Sequence, residues 1–308
     1  MSSAISAGIF KAIRHGLLTG SSVLANAPQA AHALKEWKVV QEECVEGRLP
    51  SRHLRHTLND QNKPLDLGVH LNLSQGRPLS EALFPPGMVS PDGCFRGIHA
   101  LAIMLQPASR RFQHEIRREL AAQIEYVLDH SVMPTRLDGH QYCELAPVVG
   151  KVMVELADRY GIRAVRLARE PGLVATGFLQ RGWRAASGWP ASAVKQVLAL
   201  RLASILRRSQ MHHPDWLFGT ISAGWVRRET LLRFVKVGRS RRANLIEVAL
   251  HPGLGPEDSW LAVNATVASG AEWADPLSAL RPDELEWLVA ESLAGELVGL
   301  GLQLGRVS

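Results

Sequence analysis

The sequence is poor in cysteine and contains no long apolar segment. Its 308 residues include only Cys44, Cys94 and Cys143, and no two of them form a CxxC pair, so the chain is not a disulfide scaffold. No run approaches the roughly 18 consecutive apolar residues of a membrane-spanning helix, and the first residues lack the apolar region of a signal peptide. We therefore expect a cytoplasmic protein that does not cross a bilayer.

Internal repeats and low-complexity tracts are absent as well, and the charge is unevenly distributed. The composition, 46% hydrophobic and 21% charged, is that of a globular protein with a sizeable core. Residues 177–242 contain thirteen Lys and Arg against two acidic residues, a local balance of +11 in a chain whose net charge is +6. The remainder is net acidic, which excludes a uniformly basic nucleic-acid binder and indicates one special basic surface.

The hydrophobic pattern alternates between strand and helix periods. Residues 65–73, LDLGVHLNL, alternate strictly, which predicts a strand with an apolar and a polar face. Residues 111–130 and 145–160 have helical spacing, and a last helix is predicted over about 282–300. Strands alternating with helices favour parallel βαβ units, so we predict one α/β domain over residues 1–308, a distorted (β/α) barrel, with a helical basic insertion at about 171–242.

Three histidines lie at the ends of predicted strands. His70 ends the polar face of the first, His140 follows the short strand 135–138, and His251 closes the strand 245–251. The carboxyl ends of parallel strands meet at one rim, where active sites are built. Three imidazoles there suit either a divalent metal ion or general acid–base catalysis. A single strand-end histidine is more often a satisfied polar residue, so the prediction depends on all three.

These segments carry a resemblance to a known family. The relevant stretches are GVHLNL at 68–73, LDGH at 137–140 and EVALHPG at 247–253, with shorter matches at 8–12 and 16–21. In this order and spacing they resemble the YdjC-like carbohydrate deacetylases, a family that includes chitooligosaccharide deacetylases. The basic insertion, with VRLAREP at 165–171 and PDWLFG at 214–219, is most similar to the branch associated with hopanoid lipid biosynthesis.

The resemblance implies a hydrolase that removes N-acetyl groups from amino sugars with one divalent metal ion, zinc or magnesium. By position, His70 and His140 would ligate the metal and His251 would be the catalytic acid. Asp138 would orient a ligand imidazole as a second catalytic residue, although a turn residue before Gly139 is an equal alternative. Arg166 and Asn72 are predicted to bind substrate, and a strand-end salt bridge is the alternative for Arg166.

The sequence departs from the family pattern at two places. The family begins with a strand that ends in an Asp-Asp motif, which supplies a carboxylate ligand and the general base, whereas this chain contains no Asp-Asp pair. We therefore expect a barrel that lacks its first strand, either because the natural protein begins before Met1 or because the chain is a true truncation. The family also repeats histidine at alternate positions after His140, where this sequence has Tyr142 and Glu144. Glu144 could ligate a metal, but a tyrosine does not easily replace an imidazole.

The basic insertion contains a predicted amphipathic helix, 194–208, near Trp183, Trp189, Trp216 and Trp225. The helix either packs on the barrel with solvated arginines or lies at a membrane interface. The leading hypothesis is a deacetylase acting on an N-acetylated amino sugar of a hopanoid-linked glycolipid, with peripheral contact to the inner membrane and no nucleic-acid partner. The alternative is a non-catalytic relative that binds glycolipids or membrane surfaces.

Overall fold

A computed structural model describes residues 3–50, 65–170, 189–220, 222–255, 273, 275 and 277–307 of the chain. Six strands lie in this part of the chain: β1 Gly20–Val23, β2 Asp66–Leu71, β3 Arg136–Gly139, β4 Ala164–Val165, β5 Trp216–Phe218 and β6 Ile246–Val248. The nine α-helices described are α1 Ser3–His15, α2 Ala30–Val45, α3 Ile98–Leu105, α4 Gln113–Asp129, α5 Pro147–Arg159, α6 Trp189–Arg208, α7 Arg228–Ser240, α8 Arg281–Leu288 and α9 Glu291–Gly299. The 3-10 helices Pro107–Phe112 and His140–Leu145 precede α4 and α5.

The strands form two parallel sheets, ordered β1-β2-β3-β4 and β5-β6. Single backbone contacts connect them: Val165 N donates to His212 O at 2.9 Å and Leu217 N donates to Arg169 O at 2.8 Å. The six strands therefore follow one another in chain order around an arc. In the part of the chain that the structure describes, no strand joins the outer edge of β1 to that of β6. The α/β class and the parallel connections are confirmed, and the arc is consistent with a barrel-like domain.

Strand β2 is central because both of its faces are buried. The apolar face is fully buried in the main core and comprises Leu67, Val69, Leu71 and, beyond the strand end, Leu73. The polar face is also buried, apart from His70, which is partly exposed. Strands of parallel sheets are covered on both sides, so polar residues on the inner face must find partners inside the protein. The alternating pattern predicted the strand, and the structure shows that its polar face lines the interior instead of contacting bulk solvent.

Several predicted boundaries differ from the structure. Residues 171–188, where the predicted insertion begins, lie outside the described residues, as does Trp183. Strand β5 lies within the predicted insertion and pairs in parallel with β6, and α7 lies between the two strands in the chain. These three elements therefore form a βαβ unit of the framework. A strand of three residues is too short to show a period in the sequence. The predicted last helix is instead the two helices α8 and α9.

The outward surface of α6 differs from the amphipathic prediction. The helical pattern predicts Val194 on the apolar side of the helix with Leu198 and Leu202. In the structure Val194 is 55% exposed, together with Val197 at 56% and Leu200 at 53%. The buried side comprises Ala199, Leu202, Ala203 and Leu206. Within the described residues, no helix is long and apolar enough to span a bilayer.

Candidate active site

The predicted strand-end histidines line one cavity of about 1020 Å³ between the outer edges of β1 and β6. His70, His140 and His251 all contribute to its wall. The rings of His70 and His140 pack edge to face with their centroids 5.2 Å apart. Parallel strands deliver these side chains from β2, β3 and β6 to the same end of the arc, which is where α/β folds place their sites. The cavity is within the size range of small-molecule and carbohydrate pockets.

Asp138 is fully buried in β3 and is the centre of a charged network. Its Oδ1 lies 2.8 Å from His70 Nδ1, and its Oδ2 accepts from Ser22 Oγ at 2.6 Å and pairs with Arg166 at 2.9 Å. Burial alone would raise the pKa of Asp138, but Arg166 and His70 outweigh it and hold that pKa well below its usual range. The carboxylate is therefore ionised, and it orients the His70 ring so that Nε2 is the nitrogen left for other partners.

Arg166 connects this network to β6. Its guanidinium contacts Glu247 Oε1 at 2.6 Å and 2.9 Å, and Arg136 reaches the same oxygen at 2.5 Å. Burial lowers the pKa of Arg166, but the carboxylates of Asp138 and Glu247 raise that pKa by more, so the net shift is upward. In this structure the strand-end salt bridge predicted as the alternative for Arg166 is present and largely buried. Arg166 also lines the cavity, so a substrate contact stays a prediction.

Asn72 is fully buried and organises the loop after β2. Its Oδ1 accepts from the backbone N of Ser74 at 2.9 Å and of Gln75 at 3.1 Å, and its Nδ2 donates to Asn26 Oδ1 and to Gln75 O. With these bonds its amide is satisfied by protein groups, and Asn72 is not among the residues that line the cavity. Asn72 thus holds Gln75, whose Oε1 lies 3.2 Å from His140 Nε2, and its contact with substrate stays a prediction.

His140 and His251 are neutral imidazoles in this environment. Burial lowers the pKa of each to about 3, with further lowering by the nearby His70 for His140 and by Arg281 and Arg166 for His251. Both rings remain partly exposed, because they line the cavity. His251 Nδ1 is buried without a hydrogen-bond partner in the described residues. Its backbone is fixed by α8: its N–H donates to Glu284 Oε2 at 2.5 Å and its carbonyl accepts from Arg281 at 3.1 Å.

The carboxyl group of Glu144 is also held neutral, like the imidazoles of His140 and His251. It is 1% exposed, neither carboxyl oxygen has a hydrogen-bond partner in the described residues, and burial raises its pKa to about 8. It packs against the backbone of Gly139, where any Cβ would lie 2.0 Å from Glu144 Oε2. This contact explains why glycine precedes His140.

The predicted metal centre is incomplete in the described residues. No group of three or more His, Cys, Asp or Glu side chains within them is arranged to hold a metal ion. His70 and His140 provide two imidazoles, while the nearest carboxylate, Asp138, is occupied by Ser22 and Arg166. Catalytic zinc sites use three protein ligands. The described donor set therefore does not fit a catalytic metal site by itself, and the single zinc or magnesium ion stays a prediction.

Comparisons with known proteins agree with this architecture. The family model described as YdjC-like protein matches residues 1–297. The chain belongs to the YdjC-like family. Among its curated relatives, the carbohydrate deacetylase of Danio rerio is 28% identical over 220 residues, which is 70% of this chain and 60% of the relative. That of Geobacillus stearothermophilus is 33% identical over 171 residues, covering 54% and 57%. The human carbohydrate deacetylase is 28% identical over 180 residues, covering 58% and 48%.

The chain thus spans about half to three fifths of the length of these YdjC-like relatives. A solved structure from Enterococcus faecalis, described as a cellobiose-phosphate cleavage protein, superposes with a TM-score of 0.64 at 16% identity, over 99% of this chain and 93% of that one. At this identity the similarity concerns the fold alone. The family assignment made from the sequence motifs is confirmed.

Proposed function

We propose that the cavity beside His140 and His251 is the site of an N-deacetylase for acetylated amino sugars. One observation supports it above the others: the three family histidines line a single cavity, and two of them are neutral because they are buried. The family relationship and the curated relatives support the reaction class. Hydrolysis adds water across the acetamide C–N bond and yields acetate and a free amine.

His251 is proposed as the proton carrier of this reaction. A neutral imidazole can accept the proton of the attacking water and then donate it to the leaving amine, which would otherwise depart as a strongly basic anion. Because His251 is neutral in the structure, we propose that it acts as the predicted catalytic acid only after it has accepted the proton of the attacking water. His70, oriented by Asp138, and His140, contacted by Gln75, are proposed to bind the reacting acetamide side of the sugar or a metal ion.

The wild-type chain should release acetate from N-acetylchitooligosaccharides, measured with and without added zinc or magnesium. His140→Ala should abolish release, whereas His114→Ala, which removes a histidine with a 74% exposed side chain on α4, should not. Metal binding is read separately by calorimetry on the same preparations. Release by His140→Ala at the wild-type rate would contradict the proposal.

A finer proposal concerns the substrate's lipid. The outward surface of α6 combines the exposed Val194, Val197 and Leu200 with exposed Arg201, Arg207 and Arg208. Apolar side chains beside arginines suit contact with an anionic membrane surface. We propose that the acetylated sugar is carried on a hopanoid-linked glycolipid at the inner membrane. The triple variant of these arginines to Gln should lose co-sedimentation with anionic vesicles while keeping activity on soluble oligosaccharide.

The second candidate function is non-catalytic glycolipid binding by the same cavity. The observation that favours it is the two-imidazole donor set, which is short of the three ligands of a catalytic metal site. In that case calorimetry would detect oligosaccharide or glycolipid binding, acetate would not be released under any metal condition, and no metal would bind. Stoichiometric metal binding or acetate release would reject this candidate.

A further inference from the structure

Helix α6 reaches the candidate site through one partly buried lysine. The Nζ of Lys195 lies 2.8 Å from Thr220 Oγ1 and 3.5 Å from the centroid of the Tyr142 ring. Tyr142 and Thr220 both line the cavity that contains His140. Lysine over an aromatic face is attracted by the ring quadrupole, and the attraction grows when both groups are shielded from water. The lysine therefore connects the helix to two residues of the cavity wall.

Tyr142 is held in a conformation that it would not adopt by itself. Gln141 and Tyr142 have φ values of 51° and 62°, in the left-handed region that disfavours residues with a Cβ. Such strain persists only where surrounding contacts enforce it. The phenol donates to Thr220 O at 3.1 Å, and Lys195 covers the ring. Because Tyr142 follows His140 by two residues, these contacts also set the direction of the chain at His140.

The lysine is enclosed by groups that favour its charged form. Glu170 accepts a hydrogen bond from Thr220 Oγ1, and the backbone carbonyl of Glu170 accepts from Gln196 of the same helix at 2.8 Å. Burial lowers the pKa of Lys195 to about 8, while the Glu170 carboxylate opposes the shift. At neutral pH the ammonium is thus retained inside the protein. A lysine whose only role was to keep the protein surface soluble would be fully exposed to solvent.

We propose that Lys195 is a positioning residue of the acetylated-sugar site, which holds Tyr142 and Thr220 against the cavity and, through Tyr142, fixes His140. The proposal rests on the deacetylase function proposed above. It makes α6 part of the site's construction, independent of any membrane contact by the outward surface of that helix. Lys195 itself need not touch the substrate.

The test compares Lys195→Met, Lys195→Arg and the control Lys151→Met, which removes an α5 lysine whose side chain is 59% exposed. Lys195→Met should lower kcat for acetate release from soluble N-acetylchitooligosaccharides by about 10- to 100-fold, because small misplacements of reacting groups have effects of that size. Lys195→Arg retains the cation and a hydrogen-bond donor and should recover most of the rate. Lys151→Met should match wild type.

A second readout keeps the test independent of catalysis. In histidine-selective NMR spectra, Lys195→Met should shift the imidazole signal of His140 and leave that of His114 unchanged. This result without acetate release by wild type would support the positioning role and reject the deacetylase function. An unchanged His140 signal and a kcat within about twofold of wild type would overturn the proposal. So would equal rate loss in Lys195→Met and Lys195→Arg accompanied by equal loss of unfolding free energy, since a purely structural lysine would behave in that way.

Discussion

The candidate site contains two groups of buried residues, which differ in whether their polar atoms have hydrogen-bond partners; we call them the partnered side and the unpartnered side. On one side, the Asp138 carboxylate is shared by Ser22, His70 and Arg166, all at hydrogen-bond distance. On the other side, Glu144 has no hydrogen-bond partner for its carboxyl in the described residues, and His251 has none for Nδ1. The partnered side is ionised and rigid. Glu144 and His251 are neutral because they are desolvated, and His251, which lines the cavity, keeps a ring nitrogen without a partner in the described residues.

The difference teaches where chemistry can occur in this cavity. A buried group whose lone pairs are all occupied by protein can orient a neighbour but cannot easily exchange a proton. A neutral imidazole that lines the cavity has a lone pair that can accept a proton from reacting groups. We therefore regard the Asp138 network as the support and the imidazoles of His140 and His251 as the reacting part. The following predictions separate these two roles.

The largest expected effect is on the partnered side. Asp138→Ala should lower the free energy of unfolding by about 3–5 kcal/mol, because it removes one of the two carboxylates that pair with the buried Arg166 and the acceptor that orients His70. Ser22→Ala removes only one neutral donor to the same carboxylate and should cost about 1 kcal/mol. Urea unfolding monitored by circular dichroism measures both. Equal effects of the two substitutions would show that Asp138 is not the centre of a stabilising network.

Glu144 provides an alkaline test on the unpartnered side. Its pKa, about 8 in the folded chain, lies above the ordinary 4.5, so the stability it contributes is present below pH 4.5 and is lost as pH rises through 8. Glu144→Gln cannot ionise. The unfolding free energy of the variant relative to wild type should therefore increase by roughly 3 kcal/mol between pH 5 and pH 8. A difference that does not change with pH would contradict the neutral state assigned to Glu144.

His251 provides the corresponding acid test, with a smaller effect because its ring is partly exposed. Its folded pKa of about 3 lies below the ordinary 6.5, so the unfolded chain binds the proton first and stability falls as pH decreases from 6.5 toward 3. His251→Gln should reduce the loss of unfolding free energy between pH 7 and pH 4.5 by roughly 1 kcal/mol. Parallel pH profiles for variant and wild type would place the folded pKa of His251 near its ordinary value.

The sequence predicted strand β2 and the three histidines of this site better than it predicted the contacts between side chains. Strict alternation in 65–73 was sufficient for β2, and the order of the three motifs was sufficient for the family and for the convergence of His70, His140 and His251. The contact between Ser22 and Asp138 joins residues 116 positions apart, and it depends on β1 and β3 both flanking β2. No local period encodes such a contact. Only the parallel register of the three strands brings the two side chains together.

Lys195 and Tyr142 illustrate a second limit of sequence reading. Tyr142 was noted only as a departure from a histidine pattern, and Lys195 only as one charge among thirteen. The left-handed backbone of Tyr142 and the burial of a lysine on a helix with arginines outside are tertiary effects, since neither follows from residue type. The signal available in the sequence was the position of Lys195 on the apolar side of the predicted helix, opposite Arg201 and Arg208.

The most direct test of the central claim is the kcat of acetate release from N-acetylchitooligosaccharides by His251→Gln and by His114→Gln, each relative to wild type. Loss of a general acid–base residue lowers rates by about 10²–10⁴-fold, and we predict a loss in this range for His251→Gln with unfolding free energy at pH 7 close to that of wild type. His114→Gln should retain the wild-type rate. Equal kcat values for the two variants would contradict the assignment of His251 to the reacting side of the site.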